Sequence, residues 1–168
     1  PWTVITQSGP PSELTGMNTV GVTFDYSQIA IGGQRQSEAD WLATREKEEH
    51  RQTYLQTKAE ANRGIIQGLQ KKLGGVTIGE GAAPEGGVQI NIVFLEWEEG
   101  VFTAVFNVPS KIKARVQFIK NGKIVDEIET THQEAATLYM PAPQQRLFRC
   151  GEVVGERGGQ YVQKATGG

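Results

Sequence analysis

Residues 96–99 read Glu96-Trp97-Glu98-Glu99, three carboxylates around one indole. Two carboxyl groups held near each other can divide the acid and base work of cleaving a glycosidic bond. Glu98 and Glu99 fall in a predicted turn closed by Gly100, where charges are ordinary, so the cluster reads as solvated surface and no catalytic residue is expected. Asp25-Tyr26-Ser27, after a predicted strand, is common loop composition. The chain lacks Gly-X-Ser-X-Gly, His-Glu-X-X-His and a phosphate-binding loop. The glycines of residues 76–87 are followed neither by Lys-Ser/Thr nor directly by a helix. Cys150 is the single cysteine, and His50 and His132 lie far apart in polar surroundings. Neither a disulfide nor a metal site can be built from that set, and no cofactor is expected. Cys150 reads as a small apolar residue on a helix face.

Binding surfaces suit the residue types better. Trp2, Trp41, Tyr54, Trp97, Tyr139 and Phe148 sit near the ends of predicted elements, where aromatic side chains can anchor an interface. Gly64 and Gly68 lie one turn apart inside a predicted helix and each costs about 1 kcal/mol against Ala. Close approach of another backbone accounts for both, and these eight residues form the candidate interface.

The elements that must position them are legible from periodicity. Ile112, Ala114, Val116 and Phe118 alternate with Lys111, Lys113, Arg115 and Gln117, a strand with one buried and one wet face. The pattern resumes after Asn121-Gly122, so a hairpin is predicted. A strict two-residue turn would turn Glu127 and Glu129 inward without partners, which is costly. A three-residue loop at Lys120-Asn121-Gly122 therefore predicts Phe118 opposite Ile124, Ala114 opposite Ile128, Arg115 opposite Glu127 and Lys113 opposite Glu129. Asp126 then faces inward opposite Val116 with no partner in view. Residues 88–97 read as a central strand, apolar on both faces. Residues 101–108 read as a further strand stopped by Pro109.

Upstream, residues 1–16 read as an extended arm or tether with a short strand at Trp2–Ile5, and residues 17–24 as the first strand of a single domain spanning 17–163. One long helix is predicted from Ser37, with Asp40 as a reciprocal cap, to Leu73, ended by Gly74-Gly75. Its stretch Thr44–Thr53 holds no apolar residue and would overhang the domain or meet a neighbouring subunit. Leu147, Cys150, Val154 and Tyr161 predict a final helix over 144–163, fraying near Gly158 or pressed against a neighbour through its glycines. Residues 164–168 read as a loose tail. The expected fold is α+β: an antiparallel or mixed sheet of about five strands with a long N-terminal helix and a C-terminal helix on one face.

The chain has 168 residues and a formal net charge of −2, a weak acidic balance that argues against a nucleic-acid partner. No apolar run approaches the ~20 residues of a membrane span. The chain starts at Pro1 without an initiator Met, which reads as a mature or trimmed form of a longer precursor. Element order over 17–163, the helix end LQKKLGG before a short strand, and INIVFLEWEEG leading through VFNV to KIKARVQFIKNGKIVDEIETT resemble small bacterial envelope lipoprotein domains. These are of the curli-secretion-channel and Pel-export type, together with related lipoproteins of unknown function. The resemblance implies secretion past the inner membrane, a periplasmic or cell-surface place at the outer membrane, and membrane contact only through a lipid anchor on an N-terminal cysteine that this chain does not carry. Its residues carry over no binding position. The expected function is a non-catalytic structural or assembly component whose partners are copies of itself or other envelope proteins. The alternative is a glycan or small-ligand module using Trp97 and residues 76–87.

Overall fold

The computed structural model describes residues 1–167. Its elements in chain order are β1 (Trp2–Thr6), β2 (Thr19–Asp25), β3 (Ala30–Ile31), α1 (Glu38–Ala43), α2 (Glu48–Lys72), β4 (Thr77–Glu80), β5 (Val88–Glu98), β6 (Val101–Phe102), β7 (Asn107–Val108), β8 (Ser110–Lys120), β9 (Lys123–Glu134) and α3 (Pro143–Ala165). A mixed sheet runs β1-β9-β8-β5-β2-β4, with β3 beside the far end of β5. Two strands exceed the expected number, because β1 joins the edge through β9 and β3 adds a short pairing. The short strand expected at Trp2–Ile5 is thus an edge strand of the sheet, Trp2–Thr6. β2 lies parallel to β4 and β5, while β5, β8, β9 and β1 pair antiparallel in turn.

The hairpin settles its register in a way the pattern alone does not give. Asn121 and Gly122 both have positive φ, 51° and 76°, the backbone of a two-residue type I′ turn. Ile119 pairs with Ile124 and Lys120 with Lys123, and then Val125 is passed over as a bulge. Beyond it Phe118 faces Asp126, Val116 faces Ile128 and Arg115 faces Glu129. The expected three-residue loop and its pairs are thus wrong, and Ile124, expected inward opposite Phe118, lies outward beside Ile119, while beyond the bulge the expected faces are right. One extra residue in β9 turns Glu127 and Glu129 outward as a three-residue loop would have done. On the outer face Arg115 Nε reaches Glu129 at 3.1 Å and Gln117 Nε2 donates to Glu127 at 2.9 Å. Asp126 is fully buried, and its partners come from outside the hairpin: Ser8 Oγ donates at 2.5 Å and Tyr161 Oη donates to its other oxygen.

The expected single N-terminal helix is broken. Ser37 caps α1 by accepting from the Asp40 N–H at 3.1 Å, as its spacing implied. The helix stops at Thr44, whose hydroxyl bonds the Trp41 carbonyl at 2.7 Å, and restarts after an extended Lys47. With no apolar side chain between Thr44 and Thr53 there is no packing to hold a continuous rod. The short helix folds back instead, so that Trp41 and Leu42 pack on the core margin.

α2 and α3 cover the inner face of the sheet. Their contact is made of glycines from both sides: Gly64 and Gly68 of α2 lie against the backbone of Phe148 and Glu152, and Gly151 and Gly155 of α3 against Ala61 and Ile65. Beneath them Ile65, Leu69, Leu147 and Val154 meet Val22, Ile90, Ile92, Val116 and Phe118 in one buried cluster. Burying each such side chain contributes about 1.5–3 kcal/mol. α3 continues through the glycines to Ala165, so Lys164 and Ala165 are helical where a loose tail was expected; Gly168 lies outside the described residues. Among the described residues no helix is long and apolar enough to cross a membrane.

Candidate interaction surface

Of the three carboxylates around Trp97, two are engaged with neighbours and the third is largely buried. Glu96 points outward and is bound by Lys111 at 2.9 Å, Arg35 at 3.5 Å and Lys113 at 3.5 Å. The hydrogen bond from Lys111 holds its carboxyl below the usual glutamate range. Glu98 shares with it a hollow of about 360 Å³ but accepts the Gly100 N–H at 3.0 Å. Burial pushes the Glu99 carboxyl up, and the charge of Arg45 only partly opposes this. Burial likewise pushes the Cys150 thiol up to about 12, and its sulfur faces the Ser110 and His132 carbonyls. It is a small core residue.

The candidate aromatics separate by depth. Trp97 is 1 % exposed and packs with Tyr26, Phe94 and Tyr54, ring centroids 5.8–6.3 Å away. It therefore offers no face to a sugar, and residues 81–83 are folded over Gly21 and held by Gln89, whose side chain accepts from the Ala83 N–H at 2.7 Å. Tyr54 is buried and donates to Glu38 at 2.8 Å. Gly64 and Gly68 are spent on the α2–α3 contact. Trp2 closes edge-on against Tyr161, and Trp41 lies under the Arg45 guanidinium. Phe148 lines a groove, with Arg63 above its ring at 4.4 Å. Tyr139 stands free, 92 % exposed.

Tyr139 belongs to a surface that periodicity misread. Residues 101–108 do not form a sheet strand. Thr103 reverses the chain: its hydroxyl accepts the Phe106 N–H at 2.7 Å, its own N–H donates to the Phe106 carbonyl at 2.8 Å, and β6 pairs only with β7. The ribbon projects Val105 and Phe106, 86 % and 67 % exposed, with Val101, Phe102 and Val108 also accessible behind them. The loop 135–142 lies alongside, Asn107 donating to the Ala136 carbonyl at 3.4 Å, and presents Leu138 at 86 % exposure beside Tyr139. Residues 100–110 and 135–145 contain no charged side chain.

One buried cation holds both segments. Arg146 donates to Ser110 Oγ at 2.8 Å, to the Glu99 carbonyl at 3.2 Å, and to the Met140 and Pro141 carbonyls at 3.2 and 2.7 Å. Ser110 in turn donates to the Glu99 carbonyl at 2.6 Å. Burial lowers the affinity of Arg146 for its proton, yet four neutral acceptors ring it. Sequence reasoning missed Arg146, Val105, Phe106 and Leu138. The available signal was two uncharged runs bracketing the best-patterned hairpin of the chain.

Beside this end, the first turns of α3 and the middle of α2 leave a groove of about 760 Å³ floored by Ala59, Met140 and Phe148. Its rim charges are paired within the chain, Arg63 with Glu60 at 2.7 Å and Arg149 with Glu152 at 2.6 Å.

No family model matches the chain, and no curated protein matches it. Similar solved structures include a PelC dodecamer from Paraburkholderia phytofirmans, 9% identical, with a TM-score of 0.48 over 93% of this chain and 96% of that one. A crystal structure of a Xanthomonas campestris protein of the DUF330 family model is 8% identical, with a TM-score of 0.49 over 97% of this chain and 93% of that one. The likeness is one of fold.

Proposed function

We propose that this chain is a non-catalytic assembly domain of a bacterial cell envelope, acting by self-association at the periplasmic side of the outer membrane or on the cell surface. The observation that carries the reading is the uncharged end built from the β6–β7 ribbon and the 135–142 loop, with Val105, Phe106, Leu138 and Tyr139 largely in solvent. Isolated apolar residues on a surface are ordinary, but apolar residues exposed together on one patch mark an interaction site. The envelope setting is supported by the resemblance over residues 17–163. Sedimentation velocity over a wide concentration range tests the reading: species larger than the monomer are expected, and they should diminish when Leu138 and Tyr139 are replaced together by Ser. A monomer at every concentration refutes it.

A further inference from the structure

We infer that the β6–β7 tip of one copy seats in the α2–α3 groove of the next, a head-to-tail contact between different patches of the same chain. This rests on the self-association proposed above and names its two surfaces. The tip is a small peg: Val105 and Phe106 stand out on a ribbon clamped by Thr103 and carried, through Ser110, on Arg146. No side chain from residue 100 to residue 110 is charged. The groove is an open trough of about 760 Å³ whose floor is Ala59, Met140 and Phe148.

Charge complementarity selects the occupant. A groove built for an acidic or basic ligand keeps an unmatched charge at its rim, whereas here Glu60 neutralises Arg63, and Glu152 answers Arg149 while also taking Lys71 at 3.4 Å. Such a rim admits a neutral apolar peg and gains nothing from a charged one. The same chain supplies a neutral apolar peg, exposed while the groove stands open, so each molecule carries one half of the contact to be made by its neighbour. Where each copy gives its peg to one neighbour and receives a peg from another, the contact is heterologous and its repetition closes a ring or runs on as a filament, whereas two copies exchanging pegs both ways would stop at a dimer.

Complementation between two variants tests this. Phe106→Asp spoils the peg and keeps the groove; Ala59→Arg blocks the groove and keeps the peg. Both positions are exposed, so both variants should fold, with circular dichroism melting as the check. Each alone should lose at least ~30-fold in self-association, the effect of removing an interface anchor. Mixed in equal amounts they should form a dimer and nothing larger, since one good peg meets one good hole and both free ends are dead. As an independent measurement, the double variant Val105→Cys, Ala59→Cys should become linked between molecules on mild oxidation, Cys150 being buried. If the parent assembles but both single variants assemble equally well, if the mixture stays monomeric, or if the double-cysteine protein shows no linked species, the peg-in-groove contact is wrong while the assembly reading survives. A monomeric parent overturns both.

Discussion

Alanine at Gly155 and alanine at Gly158 should move stability in opposite directions, although both sit on the same helix. In an exposed helix interior Ala is worth about 1 kcal/mol over Gly, because the unfolded glycine has more freedom to lose. At Gly158 the new methyl group would meet Leu69 Cδ2 at 3.4 Å and Val116 Cγ1 at 3.5 Å, ordinary contact with side chains. The gain should survive there, about 0.5–1 kcal/mol, or roughly 1–4 °C in Tm for a domain of this size. At Gly155 the same group would run into the Ile65 carbonyl, with the Leu69 backbone nitrogen 3.0 Å away. A backbone carbonyl inside α2 cannot rotate aside as a side chain can, so the helices must part.

Overpacking of a fixed core costs about 1–3 kcal/mol, enough to overwhelm the propensity gain. The parting would also disturb three further contacts of the same kind, at Gly64, Gly68 and Gly151. Gly155→Ala should therefore lose about 1–2 kcal/mol net, a fall of roughly 2–8 °C. Urea unfolding followed by circular dichroism, with slopes compared to confirm an unchanged unfolding transition, measures both. If Gly155→Ala proves as stable as the parent, or if the two variants shift together, the glycine-to-backbone crossing of α2 and α3 is not what holds the helical layer.

Two further outcomes follow from the polar groups. Arg146→Met should take the donor from buried Ser110 Oγ and from the part-buried Met140 and Pro141 carbonyls, while the Glu99 carbonyl keeps the Ser110 hydroxyl, at about 1–3 kcal/mol for each group that water cannot reach; hydrogen exchange should quicken in residues 99–110 and 136–142 before it does in β5 or β8, and uniform quickening would show that Arg146 has no special hold on that end. Glu96 has its carboxyl depressed by Lys111, so its contribution is fully present above the ordinary glutamate value of about 4.3 and is lost as pH falls through the lower folded value; the unfolding free energy of the parent should drop between pH 5 and 3 more steeply than that of Glu96→Gln, and parallel curves would dismiss the Lys111 pair as a stabilising one.

The fold was legible where one interaction dominates and obscure where two compete. Alternation in residues 111–119 reports burial directly, so β8 and the outward charges of β9 were readable. The register was not, because a bulge changes pairing by one residue while leaving the alternation beyond it intact, and Val125 carries no mark that distinguishes it from its neighbours. The break at 44–47 was hidden for a different reason. Local propensity across Thr44–Thr53 favours helix, and only the lack of anything for a straight α1 to pack on reverses that preference. Residues 101–108 were misread because alternation between apolar faces looks the same in a covered strand and in an exposed ribbon. What decides between them is the hydroxyl of Thr103 and the attachment through Ser110 to Arg146, thirty-six residues on. Of the aromatics, Tyr139 and Phe148 ended near the proposed contact while Trp97 and Tyr54 became core, since a residue near an element's end can be covered by whatever element arrives later in the chain.

Asp126 ties these pieces together. The bulge at Val125 sets a carboxyl group on the inner face opposite Phe118, where an unpartnered charge is costly. It is tolerated because Ser8 comes from the N-terminal segment and Tyr161 from the last helix, each donating to a different oxygen. One acid thus fastens the segment following β1 and the end of α3 to the hairpin, while at the other end of the same sheet Arg146 fastens the start of α3 to the ribbon and the 135–142 loop. Burial and the bond to Asp126 push the Tyr161 hydroxyl well above its usual range, so alkaline pH does not take the donor away from this clasp. With α3 fastened at both ends and pressed by its glycines onto α2, the groove between the two helices and the peg beside it hang on the same helix, so in the proposed head-to-tail contact the angle between successive copies would follow from that attachment.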